Sequence, residues 1–172
     1  MSVRFVIDPL DFVRKTEVHH GRIPLAEFSR LQDFLHENHG EVVYQVSGFL
    51  DQDDKPRLRM KITGEAQLCC QRCLGGLTHS IDIDTSLLLA KTERELILAD
   101  EDNSVDVILA TAEINVVDLI EEEIILSLSI SIRHSEGKCD VHQSKYYDPD
   151  PAEIANPKNP FAVLSALKKK SH

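Results

Sequence analysis

From Arg57 to Cys70 the chain alternates without a break. Leu58, Met60, Ile62, Gly64, Ala66, Leu68 and Cys70 fall on one side, and Arg57, Arg59, Lys61, Thr63, Glu65, Gln67 and Cys69 on the other. A period of two held this long describes an extended strand with one face buried and one in water, so a sheet must frame the fold. Glu41 to Leu50 reads as the strand before it, joined through the turn Asp51-Gln52-Asp53-Asp54-Lys55-Pro56. After a bend at Cys73-Leu74-Gly75-Gly76, Leu77, Ile81, Ile83, Leu87 and Leu89 restart the alternation as a returning strand. Cys70-Gln71-Arg72-Cys73 is thereby placed at a hairpin tip.

Two segments carry helical spacing. Pro24 precedes Leu25, Phe28, Leu31 and Leu35, which predicts a helix over 24–38 with Gly40 as its left-handed stop. After a short apolar strand from Val105 to Leu109, Asn115 caps a second helix over 115–129, with Asp118 as the reciprocal carboxylate. Val116, Val117, Ile120, Ile124 and Leu128 share one face there, and Glu121, Glu122 and Glu123 are expected on the other. Repeated Asp-Pro and Asn-Pro pairs between 146 and 159 break regular structure, and Pro160 opens a last short helix presenting Phe161, Leu164 and Leu167. With 5% aromatics and no Trp, the core must come from Val, Ile and Leu. The reading is a single α+β domain over 1–172: a mainly antiparallel sheet packed by two principal helices, with 145–172 a Pro-rich linker and C-terminal tail helix.

Charge narrows the function. The net charge of -10 argues against DNA or RNA held by bulk phosphate attraction, which depends on Lys and Arg releasing counterions. The excess is local: between Glu93 and Glu123 every charged residue except Arg94 is acidic. Such a block either solvates a face or docks a basic partner. The amino terminus lacks a secretory signal and no apolar run approaches the roughly 20 residues of a membrane span, so a cytoplasmic protein with reduced thiols is expected.

Catalytic signatures are scarce. There is no Gly-x-Ser-x-Gly elbow, Gly-rich phosphate loop or His-Glu-x-x-His, and Glu121 and Glu122 diverge around a helix, so no enzyme is expected. The thiols carry the clearest chemistry. Cys70 and Cys73, with Cys139 far downstream and His134 and His142 on either side of it, supply the sulfurs and nitrogen that tetrahedral zinc accepts. The alternation turns Cys70 inward and Cys69 outward, making Cys70 the better ligand. The same residues also read as small buried thiols in a reducing compartment, or as a redox pair, although Gly75-Gly76 leaves no helix amino terminus after the first cysteine. Structural zinc is the one cofactor the residues suggest.

Four stretches, Cys70-Gln71-Arg72-Cys73-Leu74, Asp118 to Leu126, His134 to Cys139, and Asn159-Pro160-Phe161-Ala162-Val163-Leu164-Ser165-Ala166-Leu167-Lys168, resemble the YceD-type bacterial proteins in order and spacing. The resemblance implies a cytoplasmic ribosome-biogenesis role in the synthesis, processing or stability of 23S ribosomal RNA, with no established reaction. Its partner would be a ribosomal protein or the rRNA-processing machinery.

Two modes of action are open. Direct RNA contact would need Arg57, Arg59 and Lys61 on the outward face of the long strand and Arg72 at its tip, although like charges there also serve solubility and discourage edge pairing. The acidic block fits better as an adaptor surface for a basic ribosomal partner, with Glu121, Glu122, Glu123, Phe161, Leu164 and Leu167 as candidate contacts. A metal-dependent RNA-processing enzyme is a more distant alternative.

Overall fold

The computed structural model describes residues 5–101 and 105–139. The chain divides into one unit over 1–139 and a second over 140–172, and the described residues lie in the first. His142 and the tail residues Phe161, Leu164 and Leu167 are therefore outside them.

Strand β1 (Val6–Ile7) leads into helix α1 (Pro9–Arg14), which starts where the Asp8 carboxylate accepts from the amides of Leu10 and Asp11, each at 3.0 Å. Strands β2 (Val18–Pro24), β3 (Leu35–Glu37), β4 (Glu41–Leu50), β5 (Pro56–Cys69) and β6 (Gly76–Ala90) follow. Helix α2 (Glu93–Asp100), strands β7 (Val107–Leu109) and β8 (Ile114–Asn115), and helix α3 (Val116–Ser127) complete the described chain. The main sheet runs β2-β4-β5-β6-β7 and is antiparallel except for β7, which returns through α2 to lie parallel to β6. β3 pairs with β5 beyond Gly64, where the pairing with β4 stops. β1 and β8 form a separate antiparallel pair.

The α+β architecture and the long hairpin agree with the alternation. Leu58, Met60, Ile62, Ala66 and Leu68 are buried from β5, and Val116, Val117, Ile120 and Ile124 are buried from α3. α1 presses on β4 so closely that a Cβ at Gly48 would stand 2.7 Å from the Val13 Cα. β5 has neighbours on both sides, so its outward Arg and Lys do not guard a sheet edge as expected.

The helix expected over 24–38 does not form. Two 3₁₀ turns, Leu25–Glu27 and Leu31–Phe34, flank an extended Phe28, and the segment ends in β3. Side chains take the groups a helical ladder would use. Gln32 donates from Nε2 to the carbonyls of Leu25 and Phe28, both at 2.8 Å, and Glu121 Oε1 accepts from the amides of Arg30 and Leu31 at 2.6 and 3.0 Å. Leu25, Phe28 and Leu31 are nonetheless buried, because a three-residue repeat also returns side chains to one side. Gly40 does adopt a positive φ of 110°, ahead of β4 rather than after a helix.

The helix expected over 115–129 spans Val116–Ser127, and the Asn115 side chain accepts from Val117 N at 3.2 Å. Glu121 lies on the buried face instead of the expected solvent face. Glu121 follows Val117 by four residues and precedes Ile124 by three, so the helical period carries it inward, and it is 3% exposed.

Candidate metal centre

The β5–β6 hairpin closes tightly: Cys70 N donates to Gly75 O at 2.9 Å, Leu74 N donates to Cys70 O at 2.8 Å, and Leu74 takes a φ of 61°. The chain after α3 is pinned to this tip by Gln71 N donating to Ile132 O at 2.8 Å, with Ile132 buried. That link brings His134 and Cys139 against Cys70 and Cys73. One ligand atom from each of the four lies within 4.8 Å of all the others. Cys70 Sγ is 3.7 Å from Cys139 Sγ, and His134 Nδ1 is 3.4 Å from Cys73 Sγ and 3.7 Å from Cys139 Sγ. Zinc bonds of about 2.3 Å to sulfur and 2.0–2.1 Å to nitrogen make tetrahedral edges of roughly 3.5–3.8 Å, so the spacing fits that ion.

The surroundings suit thiolates. His134 Nε2 lies 3.0 Å from Gly76 O, and donating there leaves Nδ1 of the neutral ring with its lone pair toward the sulfurs. Arg72 Nε donates to Cys139 Sγ at 3.0 Å, while its NH2 group donates to the carbonyls of His134 and Ser135 at 3.2 and 3.5 Å. Burial opposes ionisation of Cys70, but the amides of Cys73, His134 and Arg72 aimed at its sulfur bring the thiol down to about 5. At Cys73 the Gly75 amide favours the thiolate, yet burial and the sulfurs of Cys70 and Cys139 leave the thiol above its ordinary value. The sulfurs of Cys139 and Cys70 hold His134 above its ordinary value too. Simple apolar packing does not account for this, since only Cys70 is buried while Cys73 and Cys139 are half-exposed. Cys69 stays apart, 3.8 Å from Leu74 O.

Both halves of this cluster lie within residues 58–168, which match the family model described as large ribosomal RNA subunit accumulation protein YceD. The chain belongs to the YceD family. It is 24% identical over 172 residues to a Haemophilus influenzae protein named "Large ribosomal RNA subunit accumulation protein YceD", covering 99% of this chain and 98% of that one. No solved structure matches the chain.

In this YceD chain the residues considered for RNA contact all have internal partners. Arg57 Nε donates to Asp51 Oδ2 at 2.8 Å, and Arg59 forms a bidentate pair with Asp84 at 2.7 and 2.8 Å, where Lys61 also approaches to 3.6 Å. Arg72 belongs to the sulfur cluster. Of the three glutamates expected to contact a partner, Glu122 is exposed and Glu123 half-buried, whereas Glu121 is buried with its carboxylate taken by Arg30 and Leu31 and offers no surface to a partner. No described helix is long and apolar enough to cross a membrane.

Proposed function

We propose that this protein is a non-catalytic cytoplasmic factor that supports accumulation of 23S ribosomal RNA by acting as an acidic adaptor for a basic ribosomal partner. Family membership supplies the ribosomal context, and the name of the Haemophilus influenzae relative supplies the RNA. The observation that carries the mode of action is the fate of the charges. Arg57, Arg59, Lys61 and Arg72 are occupied by the chain's own acceptors. Within the acidic block, Asp100, Asp106 and Glu113 form no salt bridge among the described residues. These four cations are answered inside the fold while these three carboxylates stay open, and that local balance favours a positive partner.

Cys70, Cys73, His134 and Cys139 would hold structural zinc in this reading, with Arg72 offsetting part of the thiolate charge. Bound zinc would fasten the hairpin tip to the chain beyond α3.

The decisive experiment is capture of partners from cell extract by the full-length protein, with and without ribonuclease. Basic ribosomal proteins are expected to remain bound after ribonuclease. Capture that disappears with the RNA, together with affinity for RNA that falls steeply with salt, would replace this reading by direct RNA binding.

A further inference from the structure

A groove of about 480 Å³ is bordered by α3, β6, Asp100 at the end of α2, and residues 105–108. That volume lies within the roughly 300–1,000 Å³ of ordinary ligand pockets, but the groove is open along one side. Leu126 on its wall is 72% exposed. Its floor is aliphatic, with Ile83 from β6 and Leu119 from α3, both half-buried, above the buried Leu87. Its rim is acidic, with Asp106, Glu122 and Glu123, and among the described residues no Lys or Arg lines it. Only Glu122 has a cationic neighbour among the described residues, Arg30 at 3.7 Å.

A second feature points to the same charge sign. α2 ends at Asp100 and α3 at Ser127, and both of these residues line the groove. Neither helix carries a basic residue in its last turn. The last residue of each helix therefore borders the groove, and neither helix offsets the negative pole of its dipole with a cation from its own last turn. Glu123 reflects the crowding: burial, and then the charges of Asp106 and Glu122, push its carboxyl above the ordinary value.

We infer that this groove is the seat of the basic partner, taking a short protein segment in which Lys or Arg residues flank aliphatic side chains. The aliphatic groups lie on Ile83, Leu119 and Leu126, and the cations meet the carboxylates of Asp106 and Glu123, which have no cationic partner among the described residues. The inference rests on the adaptor reading above and narrows it to one surface. Nucleic acid is the wrong sign for this site.

The test uses a labelled peptide alternating Lys with Leu and a control peptide in which Ser replaces every Leu at equal charge. Full-length protein is expected to bind the Lys-Leu peptide more tightly than the control, with affinity declining as salt rises. The double variant Asp106→Asn, Glu123→Gln is expected to bind it about tenfold more weakly, the scale of losing two charged contacts at a partly desolvated site. Leu126→Ser is expected to abolish the preference over the control while leaving the melting temperature near that of the parent. Equal binding of the two peptides, or indifference to the double variant, overturns the inference. So does a dimer in sedimentation that dissociates in the double variant, which would give the groove to a second copy. If ribonuclease-resistant capture from extract persists in the double variant, the groove assignment fails and the adaptor reading stands. If wild-type capture is ribonuclease-sensitive, the adaptor reading itself fails, whatever the peptide does.

Discussion

Glu121 holds Arg30 at two points: one carboxylate oxygen accepts its backbone amide at 2.6 Å, and the other accepts its Nε at 3.0 Å. The same carboxylate also receives the Leu31 amide, so a nearly buried charge is compensated by three donors. Glu121→Gln keeps the shape but replaces one acceptor by a donor facing N–H groups. It is expected to cost about 2–3 kcal/mol, below the 3–5 of a fully buried broken pair because Arg30 is half exposed. Chemical denaturation checks this, and a loss under about 0.5 kcal/mol would show that solvent replaces the contact.

Zinc is expected at near one equivalent in protein purified without added metal and measured by elemental analysis. Cys70→Ser is expected to remove it and, like a strong chelator, to lower the melting temperature. Metal-free protein that melts at the same temperature as the zinc-loaded form would refute the site.

Arg72 sits 3.0 Å from a ligand sulfur and acts on the site from outside it. Arg72→Ala is expected to weaken zinc by about 10- to 100-fold in chelator competition, the usual scale for an outer-shell partner, with Arg72→Lys restoring part of the loss. Unchanged zinc affinity combined with weakened RNA binding would return Arg72 to a nucleic-acid role.

Glu123 has a folded-state pKa above its ordinary 4.5, so its contribution favours folding below that value and is lost as pH rises through the folded one. At neutral pH the ionised carboxylate therefore costs stability. Glu123→Gln is expected to melt about 2 °C higher at neutral pH, with the advantage vanishing near pH 4. A variant that is more stable yet binds the basic peptide less well would mark a residue kept for binding.

Asp51 runs the other way. The Arg57 side chain, then the Lys55 amide and, less strongly, the Asp53 amide, bring it down from 3.8 to about 2 against the effect of burial. A depressed folded value gives stability that is present above 3.8 and lost as pH falls through about 2. Asp51→Asn is expected to be less stable than the parent at neutral pH, with melting curves converging across that acid window.

What could be read from the sequence followed how directly each residue's environment depends on its neighbours in the chain. β5 was legible because a central strand with one buried face repeats its contrast at every second residue. β2 was not, since Val18-His19-His20-Gly21-Arg22-Ile23-Pro24 is mostly exposed and owes its register to pairing with β4. Asp8-Pro9 does carry a local helix-start signal, which is the one that could have revealed α1. The 24–38 segment misled because burial at intervals of three fits 3₁₀ turns as well as a helix, and the deciding acceptor, Glu121, lies 91 residues away. At the sulfur cluster, spacing selected Cys70 and Cys73. The choice of His134 depended on the link from Gln71 to Ile132, which local spacing does not encode.

Every element bordering the acidic groove lies in the chain between Cys73 and His134, which are 61 positions apart. An ion joining those two residues ties off this whole span, so its ends stay together even when its internal contacts let go. The entropy released on local opening is then smaller by a loop-closure term that grows as (3/2)RT ln n. Amides of α2, β7 and α3 in the metal-loaded protein would consequently exchange with solvent later than in the stripped one, so that an ion at one end of the sheet sets the lifetime of a recess it never touches.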